Sequence, residues 1–430
     1  MHDPISRRDA MKTAAVLGAS ALVAPAFGAG LSRRGSDLIR IGVIGCGGRG
    51  TGAAINALEA DPGTRVVALA DLVADRLTAS LNNLRSQAEQ RGWTDRIDVA
   101  DDHRFTGFDA YTGLLALPSV DAVILATPPG FRPAHFESAV GAGKHVFMEK
   151  PAAVDPAGVR KVIAAARTAD EKELSVVAGT QRRHQDNYLQ LMGRITAGEI
   201  GEIVSARCYW NQGGLWVKER APEQTEMEWQ CRNWLYFCWL SGDHITEQHV
   251  HNIDVINWTK GGPPAKAVGM GGRQVRTDAK YGNIFDHFAI DFEYPDGTPL
   301  LSMCRQIDGC AGKVQEDIVG TKGSAMARPG LSVIKNERGG WRTRGSENPY
   351  VTEHVDLFAS IRGASPRLNE AKRVAESTLT AIMGRMSAYT GKEVTWEQAM
   401  SSELDLMPTT LAFGPNEVPP PPTPGRTPLI

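Results

Sequence analysis

The chain has no excess of positive charge, no long apolar run and no paired cysteine motif, and each absence removes a class of function. Lys and Arg number 47 against 49 Asp and Glu, a formal charge of −2. Nucleic acid and anionic lipid therefore meet no electrostatic footprint, and no basic run is interleaved with aromatics. No stretch reaches the roughly 20 apolar residues that a membrane-spanning helix needs. The six cysteines, Cys46, Cys208, Cys231, Cys238, Cys304 and Cys310, include no C-x-x-C pair, so no zinc or other metal site is expected. They read as small, mostly buried side chains. No repeat of solenoid length occurs.

What is present begins with a leader-like segment. Arg7-Arg8 precede a weakly apolar stretch over 13–24, and Ala24-Pro25-Ala26 offers small residues for cleavage. This reads as a twin-arginine export signal over 1–30, which places the mature protein in the periplasm or otherwise outside the cytoplasm. That route carries folded proteins, so a bound cofactor can travel with its enzyme.

From residue 38 short apolar runs alternate with amphipathic helices. Strands are expected at 38–45, 64–71, 121–127, 145–149 and 174–178, and helices at 51–60, 72–91, 134–143 and 154–170. Such runs of four to eight apolar residues between helices predict a doubly wound parallel sheet, assigned to 38–180. Beyond it the period falls to two, as at 203–210, 287–294 and 300–306, with Asp296-Gly297 as a hairpin turn. This predicts an α+β second domain over 181–405. Residues 406–430, with four prolines at 419–422, read as an extended, exposed tail.

Gly45-Cys46-Gly47-Gly48-Arg49-Gly50 fits G-x-G-x-x-G between a strand and a helix, the context that a dinucleotide loop requires. Gly45 permits the tight turn, Gly47 the approach of a pyrophosphate, and Gly50 the packing of helix on strand. The helix N-terminus offers free N–H groups to the phosphates. Asp71 ends the second strand about 20 residues further on, where a carboxylate holds the adenosine ribose and repels a 2′-phosphate. NAD is thus favoured over NADP, although Arg76 close behind keeps NADP open.

Glu149-Lys150-Pro151 at the end of a strand, taken with this loop, resembles the family named for glucose–fructose oxidoreductase, inositol dehydrogenase and the rhizopine-catabolism enzymes (Gfo/Idh/MocA). The likeness runs from about 38 to 400. It includes Thr127-Pro128-Pro129, the run 141–146 before E-K-P, and Gly198-Glu199-Ile200-Gly201. It implies a Rossmann domain followed by a domain with a large, mostly antiparallel open sheet, which often builds dimers or tetramers. It adds Thr127, Pro128, Glu149 and Lys150 to the cofactor site, with Gly48 and Arg49 of the loop. It also places Lys150 beside the nicotinamide and the substrate hydroxyl, where a cation eases a developing alkoxide.

Glu247, His251 and Asp254 are spaced i, i+4, i+7, one face of a single helix. The family's sugar and inositol dehydrogenases carry D-x-x-x-H-x-x-D here. The resemblance makes His251 the general base, Glu247 its replaced first acid, and Asp254 a substrate-binding acid. Arg183 matches an arginine common near the domain junction, and Tyr281 opens a loop able to close over a substrate. His249 lies off the shared face and reads as structural. Of Trp210, Trp216, Trp229, Trp234, Tyr236, Trp239 and Trp258, one or two are expected at a sugar site.

The expected function is NAD-dependent hydride transfer from a CH–OH carbon of a sugar, glycoside or polyol. Outside the cytoplasm no NAD pool reoxidises NADH, so a tightly held, internally recycled cofactor is expected. Two alternatives stand beside it: a redox-neutral, NAD-dependent glycoside-cleaving enzyme, and a non-catalytic sugar-binding module. The family's NAD-dependent glycosidases carry T-H-G-x-G-P where this chain has E-Q-H-V-H-N-I-D.

Overall fold

Six strands build the first sheet, the five expected from apolar runs and one short polar edge strand, β3, that was not expected: β1 (Ile39–Ile44), β2 (Thr64–Asp71), β3 (Arg104–Thr106), β4 (Ala122–Leu125), β5 (His145–Met148) and β6 (Val176–Ala178). In this computed structural model, which describes residues 38–430, they lie parallel in the order β3-β2-β1-β4-β5-β6. The export signal expected at residues 1–30 lies outside the described residues. β4 and β6 are buried throughout, as expected of strands covered on both faces by helices. The strand order reverses beside β1, so the ends of β1 and β4 open a crevice.

The second sheet has nine strands: β7 (Ile203–Gln212), β8 (Lys266–Gly272), β9 (His287–Glu293), β10 (Pro299–Gln306), β11 (Lys313–Gly320), β12 (Gly323–Arg328), β13 (Leu331–Asn336), β14 (Trp341–Thr343) and β15 (Val394–Thr395). Their order is β14-β13-β12-β11-β7-β10-β9-β8-β15. Every pairing is antiparallel except β7 with β10. The Asp296-Gly297 turn joins β9 to β10, with Gly297 at φ +80°. The large, mostly antiparallel open sheet that the family resemblance implies is present.

The helix Ala371–Thr390 packs on the second sheet and on the helix Pro156–Glu171 of the first layer. It is buried on nearly every side, and its small residues explain how: a Cβ at Gly384 would press on Phe292 and Ile290. The helix Pro156–Glu171 starts at a fixed point, since Asp155 caps it through Gly158 N–H at 2.7 Å and Pro156 follows.

Two segments depart from the simple division by sequence. The helix Pro349–Ile361 falls within the stretch assigned to the second domain but packs on the helix Gly48–Ala60. Its Leu357 and Phe358 join the core formed by Ile41, Val43 and Phe147. The tail has no helix or strand and is largely exposed, yet it is pinned: Gly425 N–H donates to Thr390 O and Leu406 N–H to the Asp155 carboxylate.

A buried charge pair locks the layers together. Arg182, past β6, reaches Glu316 on β11 at 2.6 Å, and both side chains are almost wholly buried. Tyr188 and Asn252 also donate to Glu316, at 3.0 and 2.5 Å. Removing one member of such a pair leaves the other charge uncompensated. Arg182→Met should therefore lower unfolding free energy by about 3–5 kcal/mol. Denaturant unfolding at neutral pH reads this directly, and a loss below about 1 kcal/mol would show the pair to be dispensable.

Candidate active site

The glycine loop bends where only glycine fits. Gly45 takes φ +97°, and a Cβ at Gly50 would overlap the Gly45 carbonyl. A Cβ at Gly47 or Gly48 would meet nothing, which leaves space for a ligand against the backbone. No side chain caps the helix that starts at Gly48, so its first N–H groups point outward without a side-chain acceptor. Asp71 fixes the loop from below: Oδ2 accepts from Cys46 N–H at 2.7 Å and Oδ1 from Val73 N–H at 3.0 Å. Burial raises the Asp71 carboxyl above its ordinary pKa.

A cavity of about 930 Å³ runs from this loop to the second domain. Gly45, Gly47, Gly48, Arg49, Asp71, Thr127, Pro128, Glu149, Lys150, Glu247 and His251 all line it. Gly50 supports the turn without lining it. An open glycine turn, an uncapped helix N-terminus and a carboxylate at the end of β2 in one cavity suit a dinucleotide. Among the described residues no His, Cys, Asp and Glu cluster could hold a metal ion.

Lys150 follows β5 and crosses to the second domain. Its ammonium donates to the Glu247 carboxylate at 2.9 Å and to the Glu247 carbonyl at 2.6 Å. The second bond exists because the helix expected through 247–254 is broken. One short helix ends at Glu247, the next begins at Val250, and His251 N–H donates to Gln248 O instead of Glu247 O. The carbonyl released at this break is the one that Lys150 takes.

His251 sits just past the break with its ring stacked on Trp210, centroids 5.8 Å apart. It is 6% exposed and its Nδ1 has no hydrogen-bond partner. Burial first, then the Lys150 cation, holds the imidazole well below the ordinary pKa of 6.5. The ring lines the cavity, and this setting favours its neutral form.

Asp254, Arg183 and Tyr281 do not line the cavity. Asp254 is on the same helix as His251, but the helix turns it inward. Its carboxylate takes Arg183 at 2.8 and 3.0 Å and Ser377 Oγ at 2.7 Å, with Arg373 at 3.4 Å. Arg183 also lies over the Trp258 ring. This pair braces the domain junction, and its two members are bonded to each other away from the cavity lining, whereas the sequence reading places them at the substrate. Tyr281 packs edge-on against Tyr236. Its loop is fixed by Asp286, which accepts from the N–H groups of Gln274, Val275 and Arg276. His249 is buried and bonded to Ser302 at 2.8 Å, the structural use expected.

Sequence reasoning missed several lining residues. Arg132, 1% exposed, donates to Leu125 O and to Thr127 O at 2.6 Å and so satisfies the carbonyls at the exit of β4. Burial lowers its pKa to about 10. His135 lies near Thr127 Oγ1 at 3.2 Å, and burial lowers it to about 3. Both stand one turn apart where a strand exits into a helix, a signal that the sequence did carry. Tyr350 carried none, nor did the buried Glu353 behind the lining: Arg49 joins Glu149 and Glu353, at 2.9 Å for the latter, and lies over the Tyr350 ring. Of the aromatic residues, Trp216 and Trp234 line the cavity, while Trp229, Tyr236 and Trp239 are core.

Residues 39–177 match the model of an oxidoreductase family with an NAD-binding Rossmann fold, and residues 188–326 match the GFO/IDH/MocA C-terminal domain. The chain belongs to the Gfo/Idh/MocA family. A glycosyl hydrolase family 109 protein of Solibacter usitatus is 30% identical over 49% of this chain and 46% of its own length. An inositol 2-dehydrogenase/D-chiro-inositol 3-dehydrogenase of Halalkalibacterium halodurans is 27% identical over 51% and 52%. The matched region thus spans about half the length of these curated relatives. Among solved structures, aldose-aldose oxidoreductase from Caulobacter crescentus aligns with TM-score 0.64 at 18% identity, covering 83% of this chain and 99% of that one. The apo scyllo-inositol dehydrogenase of Lactobacillus casei aligns at 0.62 and 22%, covering 83% and 98%. At that identity these two show the fold.

The state of His251 is directly measurable. NMR titration of the folded protein should show a neutral His251 ring at and just below the ordinary histidine pKa of about 6.5. An imidazolium signal there would contradict the buried, cation-flanked setting.

Proposed function

We propose that this chain is an NAD-dependent oxidoreductase that moves hydride to and from a CH–OH carbon of a sugar, glycoside or polyol, with its cofactor held and recycled internally. The observation that carries this is the continuity of one cavity from the glycine loop to Lys150, Glu247 and His251. NAD, when bound, supplies the hydride acceptor. Gly45–Gly50 and Asp71 hold it, beside Thr127, Pro128 and Glu149. The chain's own residues handle the proton and the charge. The neutral His251 ring takes the hydroxyl proton, and its low basicity returns that proton readily. The Lys150 ammonium, kept in place by two oxygens of Glu247, lowers the cost of negative charge on the substrate oxygen. Trp216 and Trp234 offer ring faces to an amphipathic ligand.

Export supports internal recycling: Arg7-Arg8 ahead of a cleavable stretch would carry the folded holoprotein out of reach of an NAD pool. The glycoside-cleaving alternative has one observation in its favour, the similarity to a glycosyl hydrolase family 109 protein. Against it, this chain has Glu247-Gln248-His249-Val250-His251 where the glycosidase motif T-H-G-x-G-P would stand.

Homo-oligomerisation through the nine-stranded sheet completes the reading. On its open face Met303, Ala289 and Met270 stand in one cross-strand row, with Leu301 and Val268 two residues along. Met270 is 77% exposed, unusual for so large an apolar side chain.

Purified protein should release about one NAD(H) per chain on denaturation and turn over repeatedly on its substrate without added NAD. Apo protein that works only with stoichiometric NAD would restore an ordinary dehydrogenase. In the same assay Lys150→Met should lower turnover by about 10²–10⁴-fold while nucleotide stays bound. Sedimentation should give a dimer or tetramer that Met270→Asp converts to monomer; a monomeric wild type would refute the interface.

A further inference from the structure

The cavity wall facing the sheet belongs to a lobe made from two distant stretches of chain. Residues 213–242 and 403–418 share one apolar cluster, with Met227, Leu235, Phe237 and Trp239 at its centre and Leu406, Met407 and Val418 packed on it. The lobe meets the Rossmann domain at three strand exits. Past β2, Arg232 takes both oxygens of Asp75, at 2.9 and 3.2 Å, while the Arg232 carbonyl accepts from Arg76 at 3.3 Å. Past β3, Phe108 meets Phe413 with centroids 5.3 Å apart. Past β4, Phe131 meets Phe108 at 6.3 Å and Trp239 at 5.8 Å.

The exits of β2 and β3 flank the adenosine half of a dinucleotide whose ribose sits on the acid ending β2. Arg76, Phe108 and Arg232 line the main cavity there. Phe413 does not. It stands behind Phe108 and faces an adjoining hollow of about 510 Å³ with Leu72, Asp75 and Gly107. Phe413 is 46% exposed, so it is no core anchor. Its neighbours are nonetheless latched: Met227 N–H donates to Gly414 O at 3.0 Å, and the buried Gln230 exchanges bonds with Asn416 at 2.9 and 2.8 Å. The strap is thus fixed immediately after this ring, and the ring packs on a cavity-lining aromatic.

We propose that Phe413 is a positioning residue for the adenosine half of the dinucleotide, holding the Phe108 ring against it and slowing release of the cofactor. This rests on the NAD reading of the cavity. A tilted aromatic pair restricts the Phe108 side chain before any ligand arrives, so less ordering remains to oppose binding. The effect is confined to one end of the ligand, because Lys150 and His251 lie at the other end of the cavity, past β5 and in the second domain.

The test uses full-length protein loaded with NADH. Release is followed by fluorescence after a chase with excess NAD, and ADP-ribose and nicotinamide mononucleotide serve as half-ligand competitors. Phe413→Ala should speed NADH release and weaken ADP-ribose by about 3–10-fold, leave nicotinamide mononucleotide unchanged, and keep the melting temperature within a few degrees. Phe413→Tyr should restore both values. Unchanged ADP-ribose binding in Phe413→Ala, equal weakening of both halves, or no recovery with tyrosine would overturn the role. Wild-type protein that binds neither NADH nor ADP-ribose would instead overturn the NAD reading itself, and the proposal with it.

Discussion

The Lys150–Glu247 contact is the constraint on which the site depends. It joins the end of β5 in the first sheet to a helix terminus in the second domain, and both side chains are mostly buried. An ammonium drawn out of water needs several oxygens to replace its hydration. Glu247 supplies two, one from its side chain and one from a carbonyl that helix geometry has let go. The break between Glu247 and Val250 is therefore part of the binding arrangement. Straightening the helix would return that carbonyl to His251 N–H and leave Lys150 with a single partner.

The surrounding charges follow the same rule. Arg49 stands between Glu149 and Glu353, Arg182 against Glu316, and Arg183 and Arg373 against Asp254. Each guanidinium meets a carboxylate from a different part of the chain. Burial, then the nearby Glu149 carboxylate, pushes Glu353 well above the usual carboxylate range. Of these groups Arg49 and Glu149 line the cavity, while the others lie outside its lining and tie separate stretches of chain together. His251 feels them collectively, since Lys150, Arg182 and Arg49 all oppose its protonation.

Much of this was legible in the sequence where the signal is local. Five strands of the first sheet are short, mostly apolar runs, and the glycine loop and Lys150 sit at the ends of two of them; β3, Arg104–Thr106, has no such run and was not legible. The alternation at 287–306 likewise disclosed the hairpin that the second sheet contains. Asp254 misled because periodicity gives the face of a helix but not what lies opposite. Arg183 is 71 positions away in sequence and claims that carboxylate first. Arg49 and Glu353 are 304 positions apart, and no spacing rule links them. The helix break was hidden because Gln248 and His249 are ordinary helix residues; tertiary bonds to Gln306 and Ser302 hold them in place.

The broken helix has a bearing on how this site tolerates change. Half of the hold on Lys150 is made by main chain, and a peptide oxygen is present whatever residue occupies position 247. The side chain contributes only the second ligand, so its length can vary by one methylene without displacing the ammonium. That accounts for glutamate in a place where the related pattern has aspartate. The reach of that acid can change while the cation it pairs with stays anchored by backbone.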